Sequence, residues 1–108
     1  MILIVDDSEE RRQFLQSKFP DDDVICVPSS KAAIEVIQIR VPALLILDGD
    51  LGPHDCGLKV IDFLIAHQII NTHIMIISMN PVKATQMKQA LDRVQIPNLK
   101  IPYSEIIK

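Results

Sequence analysis

Short apolar runs rich in Ile, Val and Leu recur at Ile2 to Val5, Val24 to Val27, Ala43 to Leu47 and Ile74 to Ile77, with a weaker one at Leu99 to Ile101. Runs without an interleaved polar residue suit strands buried on both faces. The stretches between them carry helical spacing instead. Ser8 to Phe19 sets Phe14, Leu15 and Phe19 on one side, with Asp7 and Glu10 at capping-box spacing and Pro20 just beyond the end. Ser30 caps a second helix over Lys31 to Ile39, where Ala33, Ile34 and Ile37 share a face before Pro42 opens the next strand. A third runs from Leu58 to His67 on Leu58, Ile61, Leu64 and Ile65. A fourth starts near Pro81, tolerated in a first turn, and reaches about Val94 with Ala84, Met87, Leu91 and Val94 inward. Ser104 to Lys108 remains for a fifth.

Strand and helix alternating five times predicts a doubly wound α/β domain, a five-stranded parallel sheet with helices on both faces, because right-handed crossovers return the chain beside its starting strand. With 108 residues, 48% of them hydrophobic, the chain fills one core and is expected to be a single domain spanning 1–108. No repeat or low-complexity tract interrupts it, so the loops carry any chemistry.

Charge narrows the partners. Lys plus Arg total 11 against 14 Asp plus Glu, a formal net charge of -3, and no basic stripe is present to track a phosphate backbone, so no nucleic-acid partner is expected. The longest apolar stretch, Val41 to Leu47, falls far short of the ~18 residues that cross a bilayer. The amino terminus lacks the basic region and cleavage site of a signal peptide, so a cytoplasmic protein with no membrane partner is expected. In that reducing compartment Cys26 and Cys56 are read as free thiols without a redox role.

Polar residues gather where the apolar runs stop. Val5 is followed by Asp6-Asp7, Leu47 by Asp48-Gly49-Asp50, and Ile77 by Ser78 and then Asn80. Ligands of open α/β sheets bind beyond the carboxyl ends of the strands, where strand order reverses. An order of about 2-1-3-4-5 brings Asp6, Asp7, Asp48 and Ser78 into one crevice. Carboxylates so close repel one another, and a divalent cation removes the conflict. Hard oxygen donors with room for water favour Mg²⁺, which is usually completed by phosphate oxygens. Asp48, beside the metal at the centre of the sheet, is then placed to be a nucleophile forming an aspartyl phosphate. Ser78 and backbone amides would hold the phosphoryl oxygens, with a lysine neutralising the remaining charge. Taken singly, an aspartate after a strand is commonly a turn or cap residue, and Asp7 reads as the cap of the first helix.

These residues resemble the receiver domain of two-component response regulators. Ile2-Leu-Ile-Val-Asp-Asp-Ser8 is similar to that family's first strand and acidic pair, and Pro42-Ala-Leu-Leu-Ile-Leu-Asp48 to the strand leading into its phosphoacceptor. Ser78 falls at the family's switch hydroxyl, and Asp55-Cys56-Gly57-Leu58 resembles the start of its third helix. The resemblance implies a flavodoxin-like, receiver-type fold with the last helix shortened. It further implies that Asp48 takes a phosphoryl group from a sensor histidine kinase or phosphotransfer protein, that Asp6, Asp7, Asp48 and the backbone of Asp50 hold Mg²⁺, and that a stand-alone receiver passes the signal to a downstream protein partner. The family's lysine directly precedes a proline. Here Ile101 precedes Pro102 and Lys100 lies one position earlier, so Lys100 joins the catalytic set with Asp48 and Ser78 only if a bulge shifts the register. The switch aromatic would fall near Asn98, where none occurs.

A narrower likeness joins Asp48-Gly-Asp-Leu-Gly52, Ser78-Met-Asn-Pro-Val82 and Met87 to receiver-like domains that process cyclic phosphates, which typically show Asp-His-Asp-Leu-Gly and His-Ser-Met-Asn-Pro. Gly49 and Ile77 stand where those histidines would be, and histidine is the natural proton-transfer group near neutrality. A phosphoesterase acting on cyclic phosphates and using His54 instead is one alternative. A degenerate receiver serving as a non-catalytic interaction module is another. The Asp-x-Asp of haloacid-dehalogenase-type phosphatases is disfavoured because it normally follows the first strand. Met75, Met79 and Met87 are read as core filling and Asp21 to Asp23 as a solvated turn.

Overall fold

The computed structural model describes residues 1–106. Its elements alternate as read from the apolar runs: β1 (Ile2–Val5), α1 (Glu9–Ser17), β2 (Val24–Val27), α2 (Ser30–Ile39), β3 (Leu44–Asp48), α3 (Leu58–Ala66), β4 (His73–Ser78), α4 (Pro81–Arg93), β5 (Asn98–Pro102) and α5 (Tyr103–Ile106). The strands form one parallel sheet in the order β2-β1-β3-β4-β5. This is the flavodoxin-like, doubly wound arrangement, with β1 and β3 adjacent across the point where strand order reverses. Among the described residues, no helix is long and apolar enough to cross a membrane.

Strand alternation sorts the apolar residues into two layers. Leu3, Val5, Leu45, Leu47, Ile74 and Ile76 face one side, where α2, α3 and α4 cover them with Ala33, Ile37, Val60, Ile61, Leu64, Ala84, Met87 and Leu91. Ile2, Ile4, Ile46 and Ile77 face the other, covered by Leu15 of α1 with half-buried Phe19 and Tyr103. Leu3, Leu45 and Leu47 have no exposure, so truncating any one to Ala should cost about 2–5 kcal/mol.

The third and fourth helices start where expected, at Leu58 and Pro81, while the first two start one residue away. Asp6 Oδ1 accepts the Ser8 N–H at 2.9 Å, leaving Ser8 rather than Asp7 in the extended cap conformation. The Ser8 hydroxyl then accepts the Arg11 N–H. Likewise Ser29, not Ser30, caps α2 through the Ala32 N–H. Ser30 is instead a buried first-turn residue whose hydroxyl and amide both reach Asp55. Val94 is not part of the inner stripe. The helix ends at Arg93, the chain turns through Gln95 at φ 60°, and Val94 is left 42% exposed. Met79 is 74% exposed and fills no core, because it lies in the loop after β4 beyond both apolar layers. The expected fifth helix over Ser104 to Lys108 begins one residue earlier, and Ile107 and Lys108 lie outside the described residues.

Candidate functional site

The carboxyl ends of β1, β3 and β4 open onto a cleft of about 590 Å³ lined by Asp7, Arg11, Asp48, Asp50, Asn80 and Lys83 among others. Parallel pairing of β1 with β3 sets Val5 beside Leu47, so the residues that follow, Asp6 and Asp48, emerge at one level. The carboxylates of Asp6, Asp7 and Asp48 each offer an oxygen within 4.8 Å of the others, as expected from the strand order. Asp6 and Asp48 are buried and Asp7 is exposed.

Local hydrogen bonds hold each acid in place. The Asp6 N–H donates to the Val27 carbonyl at 3.1 Å, and Arg12 Nη1 donates to the Asp6 carbonyl at 2.7 Å. The Asp50 N–H donates to Asp48 Oδ1 at 3.1 Å, which leaves Oδ2 facing the cleft side. The Asp50 carboxylate does not join the other three; it pairs with Lys83 Nζ at 3.4 Å. The loop after β3 is closed by the Gly57 N–H on the Gly49 carbonyl at 3.0 Å and turns through Gly52 at φ 118°, a left-handed conformation suited to glycine.

Ser78 ends β4. Its hydroxyl accepts the Asn80 N–H at 2.9 Å, and Asn80 Oδ1 in turn accepts the Val82 and Lys83 N–H groups to cap α4. Ser78 Oγ lies beside Gly49, 3.2 Å from where a Cβ would stand, so the hydroxyl borders the loop after β3. Lys100 is not drawn in. β5 pairs with β4 in unbroken register, with Ile76 opposite Lys100, and no bulge turns the residue inward. Its ammonium instead reaches Thr85 Oγ1 on α4 at 3.5 Å. The lysine at the cleft is Lys83, paired with Asp50, and its position in the first turn of α4, five residues after Ser78, was a usable signal.

Arg11 was also missed, and it sits at the centre. Its Nε donates to both oxygens of Asp6 at 3.0 and 3.1 Å, and its Nη2 reaches Asp7 Oδ1 and Asp48 Oδ2, each at 3.3 Å. The signal was spacing: on a helix that begins just after the acidic pair, a residue four beyond Asp7 points back over the first turn.

Electrostatics match this crowding. Burial first, then the charges of Asp6 and Asp7, push the Asp48 carboxyl up from 3.8 to about 7, against the opposing pull of the Asp50 amide and Arg11. The hydrogen bond to Asp6 raises Arg11 above its usual value despite partial burial. Hard carboxylate oxygens clustered this closely are a donor set that fits a divalent cation such as Mg²⁺. No histidine lines the cleft among the described residues; His54 lies in the loop after β3, where its carbonyl accepts Lys59 Nζ at 3.0 Å.

Comparison with known proteins agrees with this geometry. A family model described as the cyclic-phosphate processing receiver domain matches residues 1–93. The signal receiver domain of a Luxo repressor protein from Vibrio parahaemolyticus is similar at 25% identity and a TM-score of 0.71, over 92% of this chain and 75% of that one. Two further likenesses show the fold. The receiver domain of NtrX from Brucella abortus has 20% identity, a TM-score of 0.72 and coverage of 99% and 92%, and the Francisella response regulator 1452 receiver domain has 20%, 0.72, 94% and 81%. No curated protein matches the chain.

Proposed function

The chain belongs to the cyclic-phosphate processing receiver domains, and from that membership we propose that it acts in the cytoplasm as a phosphoacceptor receiver, taking a phosphoryl group on Asp48. The observation that carries this reading is the placement of Asp48: buried, at the end of the central β3, one oxygen fixed by the Asp50 amide and the other turned to an open acidic cleft. Asp6, Asp7, Asp48 and the backbone of Asp50 would hold Mg²⁺. When bound, Mg²⁺ neutralises carboxylates and phosphoryl oxygens, so that Asp48 works as the anion.

Asp48 Oδ2 attacks the phosphorus of a kinase or phosphotransfer protein's phosphohistidine. The new O–P bond forms as the P–N bond breaks, and the histidine nitrogen recovers a proton from solvent. Lys83 Nζ, at the rim on the Asp50 side, takes the charge-neutralising role the family gives to its lysine, since Lys100 is bonded to Thr85. The Ser78 hydroxyl, beside Gly49, is the side-chain donor for a phosphoryl oxygen, and the Asn80 cap holds the start of α4 against it. Water entering the open cleft later hydrolyses the acyl phosphate. A downstream protein would read the altered loop after β4.

The family match favours one second reading, hydrolysis of a cyclic phosphate. Against it, the subfamily's imidazole positions are Gly49, closed in by Met87, Ser78 and Lys83, and Ile77, buried in the smaller core layer. The test is incubation with Mg²⁺ and acetyl phosphate. One labelled site, lost in Asp48→Asn, supports the phosphoacceptor. No label on a folded protein favours the interaction module, and release of a phosphomonoester from a cyclic nucleotide favours the hydrolase.

A further inference from the structure

Arg11 makes more contacts than a surface ion pair requires. Its guanidinium spends donors on all three clustered carboxylates, while Nη1 lies 3.7 Å from Met79 Sδ and Cζ sits 5.6 Å from the Tyr103 ring centroid. One side chain therefore touches the acidic cleft, the loop after β4 and the start of α5. The aromatic that would couple cleft to β5 in a receiver is missing: Asn98 stands there, its amide tied to Asp92 Oδ1 at 2.8 Å and the Ile96 carbonyl at 3.0 Å.

We infer that Arg11 is a tethered cation that occupies the acidic cleft and, when a divalent ion displaces it, carries the change to Met79 and Tyr103. The inference rests on the divalent-site reading above. Each carboxylate already gives an oxygen to the guanidinium, so an incoming ion meets both occupied lone pairs and a like charge at close range. The two cations therefore compete for the same oxygens. Arg11 is able to leave, because its side chain is 27% exposed and rooted on the first turn of α1 at the cleft mouth. On leaving it gives up the sulfur and ring contacts together with the carboxylates. Arg11 is thus a positioning residue, setting divalent affinity and linking cleft occupancy to the face around Tyr103.

The test is calorimetric titration of the whole chain with MgCl₂, in wild type, Arg11→Gln and Arg11→Lys, alongside tyrosine fluorescence. The chain holds one tyrosine and no tryptophan, so the emission reports Tyr103. Arg11→Gln should bind Mg²⁺ roughly ten-fold or more tightly than wild type, with Arg11→Lys between them. Mg²⁺ should change the emission of wild type and leave that of Arg11→Gln unchanged. A merely structural ion pair would lower the melting temperature of Arg11→Gln without tightening the metal. Equal or weaker binding by both variants overturns the inference and leaves the metal reading intact. Wild-type binding with unaltered tyrosine emission overturns the link to Tyr103. Absence of binding in all three proteins overturns the divalent site itself and the inference with it.

Discussion

A Cβ placed on Gly49 would stand 3.1 Å from the sulfur of Met87. Ser78 Oγ at 3.2 Å and Lys83 Cβ at 3.3 Å close the remaining sides, so the space a side chain would need there is filled by neighbours from β4 and α4. Gly49→Ala should therefore cost about 1–2 kcal/mol by overpacking, and Gly49→His more. Adding Met87→Ala to Gly49→His should recover part of the loss despite removing a buried side chain. Urea denaturation of these three variants and of Met87→Ala alone checks this, and full additivity of the two changes would refute the steric account.

The two candidate lysines differ in place and should differ in effect. Lys83 faces Asp50 across the cleft, while Lys100 is bonded to Thr85 on the flank of α4. Lys83→Ala should slow acyl-phosphate formation from acetyl phosphate by about ten-fold or more, and Lys100→Ala by about two-fold at most. Initial rates of labelling decide it. A larger defect in Lys100→Ala would mean that β5 shifts its register when phosphate binds.

Much of this architecture was legible because it depends on local pattern. Continuous apolar runs located β1 to β4, and the acids that follow Val5 and Leu47 had to converge once those strands were neighbours. What depended on long side chains was not legible. Arg11 reaches the clustered acids and Lys83 reaches Asp50 from helix surfaces, and their spacing from Asp7 and Ser78 is a hint that does not by itself say where a long side chain ends. The α1 cap slipped by one residue since Asp6 Oδ1 accepts the Ser8 amide, a contact available only after β1 and its loop are placed. Gly57 stands out in the sequence as a motif residue, but its physical reason needs coordinates: a Cβ there would collide with the Asp48 carbonyl.

Asp55 latches the loop after β3 to the start of α2. Its carboxylate accepts the Ser30 hydroxyl at 2.5 Å and the Ser30 N–H at 2.9 Å, and it also accepts the Cys56 N–H at 2.9 Å. Burial alone would raise this carboxyl, but these three bonds and nearby Lys59 outweigh it and hold it below the ordinary 3.8. Folding and ionisation thus reinforce each other, and the contribution is present above pH 3.8 and lost as pH falls through the lowered value. Asp55→Ala should cost about 1–3 kcal/mol at pH 7, with the gap narrowing below pH 3.8. A gap independent of pH would show that packing, not the charged bonds, holds the loop.

Asp48 carries the opposite sign. Its carboxyl is pushed up to about 7, chiefly by burial, so between 3.8 and 7 the folded chain keeps a proton that the unfolded chain has released. Stability from this group falls as pH rises through that window, and the loss is complete above it. Asn has nearly the same shape, still accepts the Asp50 N–H through its carbonyl, and never ionises. Asp48→Asn should therefore match wild type near pH 4 and exceed it by about 2–4 kcal/mol at pH 8, because each pH unit across that window costs the wild type roughly 1.4 kcal/mol. Guanidinium denaturation across pH, in the presence of a chelator, measures the gap. Excess Mg²⁺ should shrink it by stabilising the wild-type carboxylate cluster, since a ligand that binds the folded chain raises its stability. A constant gap from pH 4 to pH 8 would mean that Asp48 stays ionised throughout, and that Arg11 and the Asp50 amide already compensate its burial without help from a divalent ion.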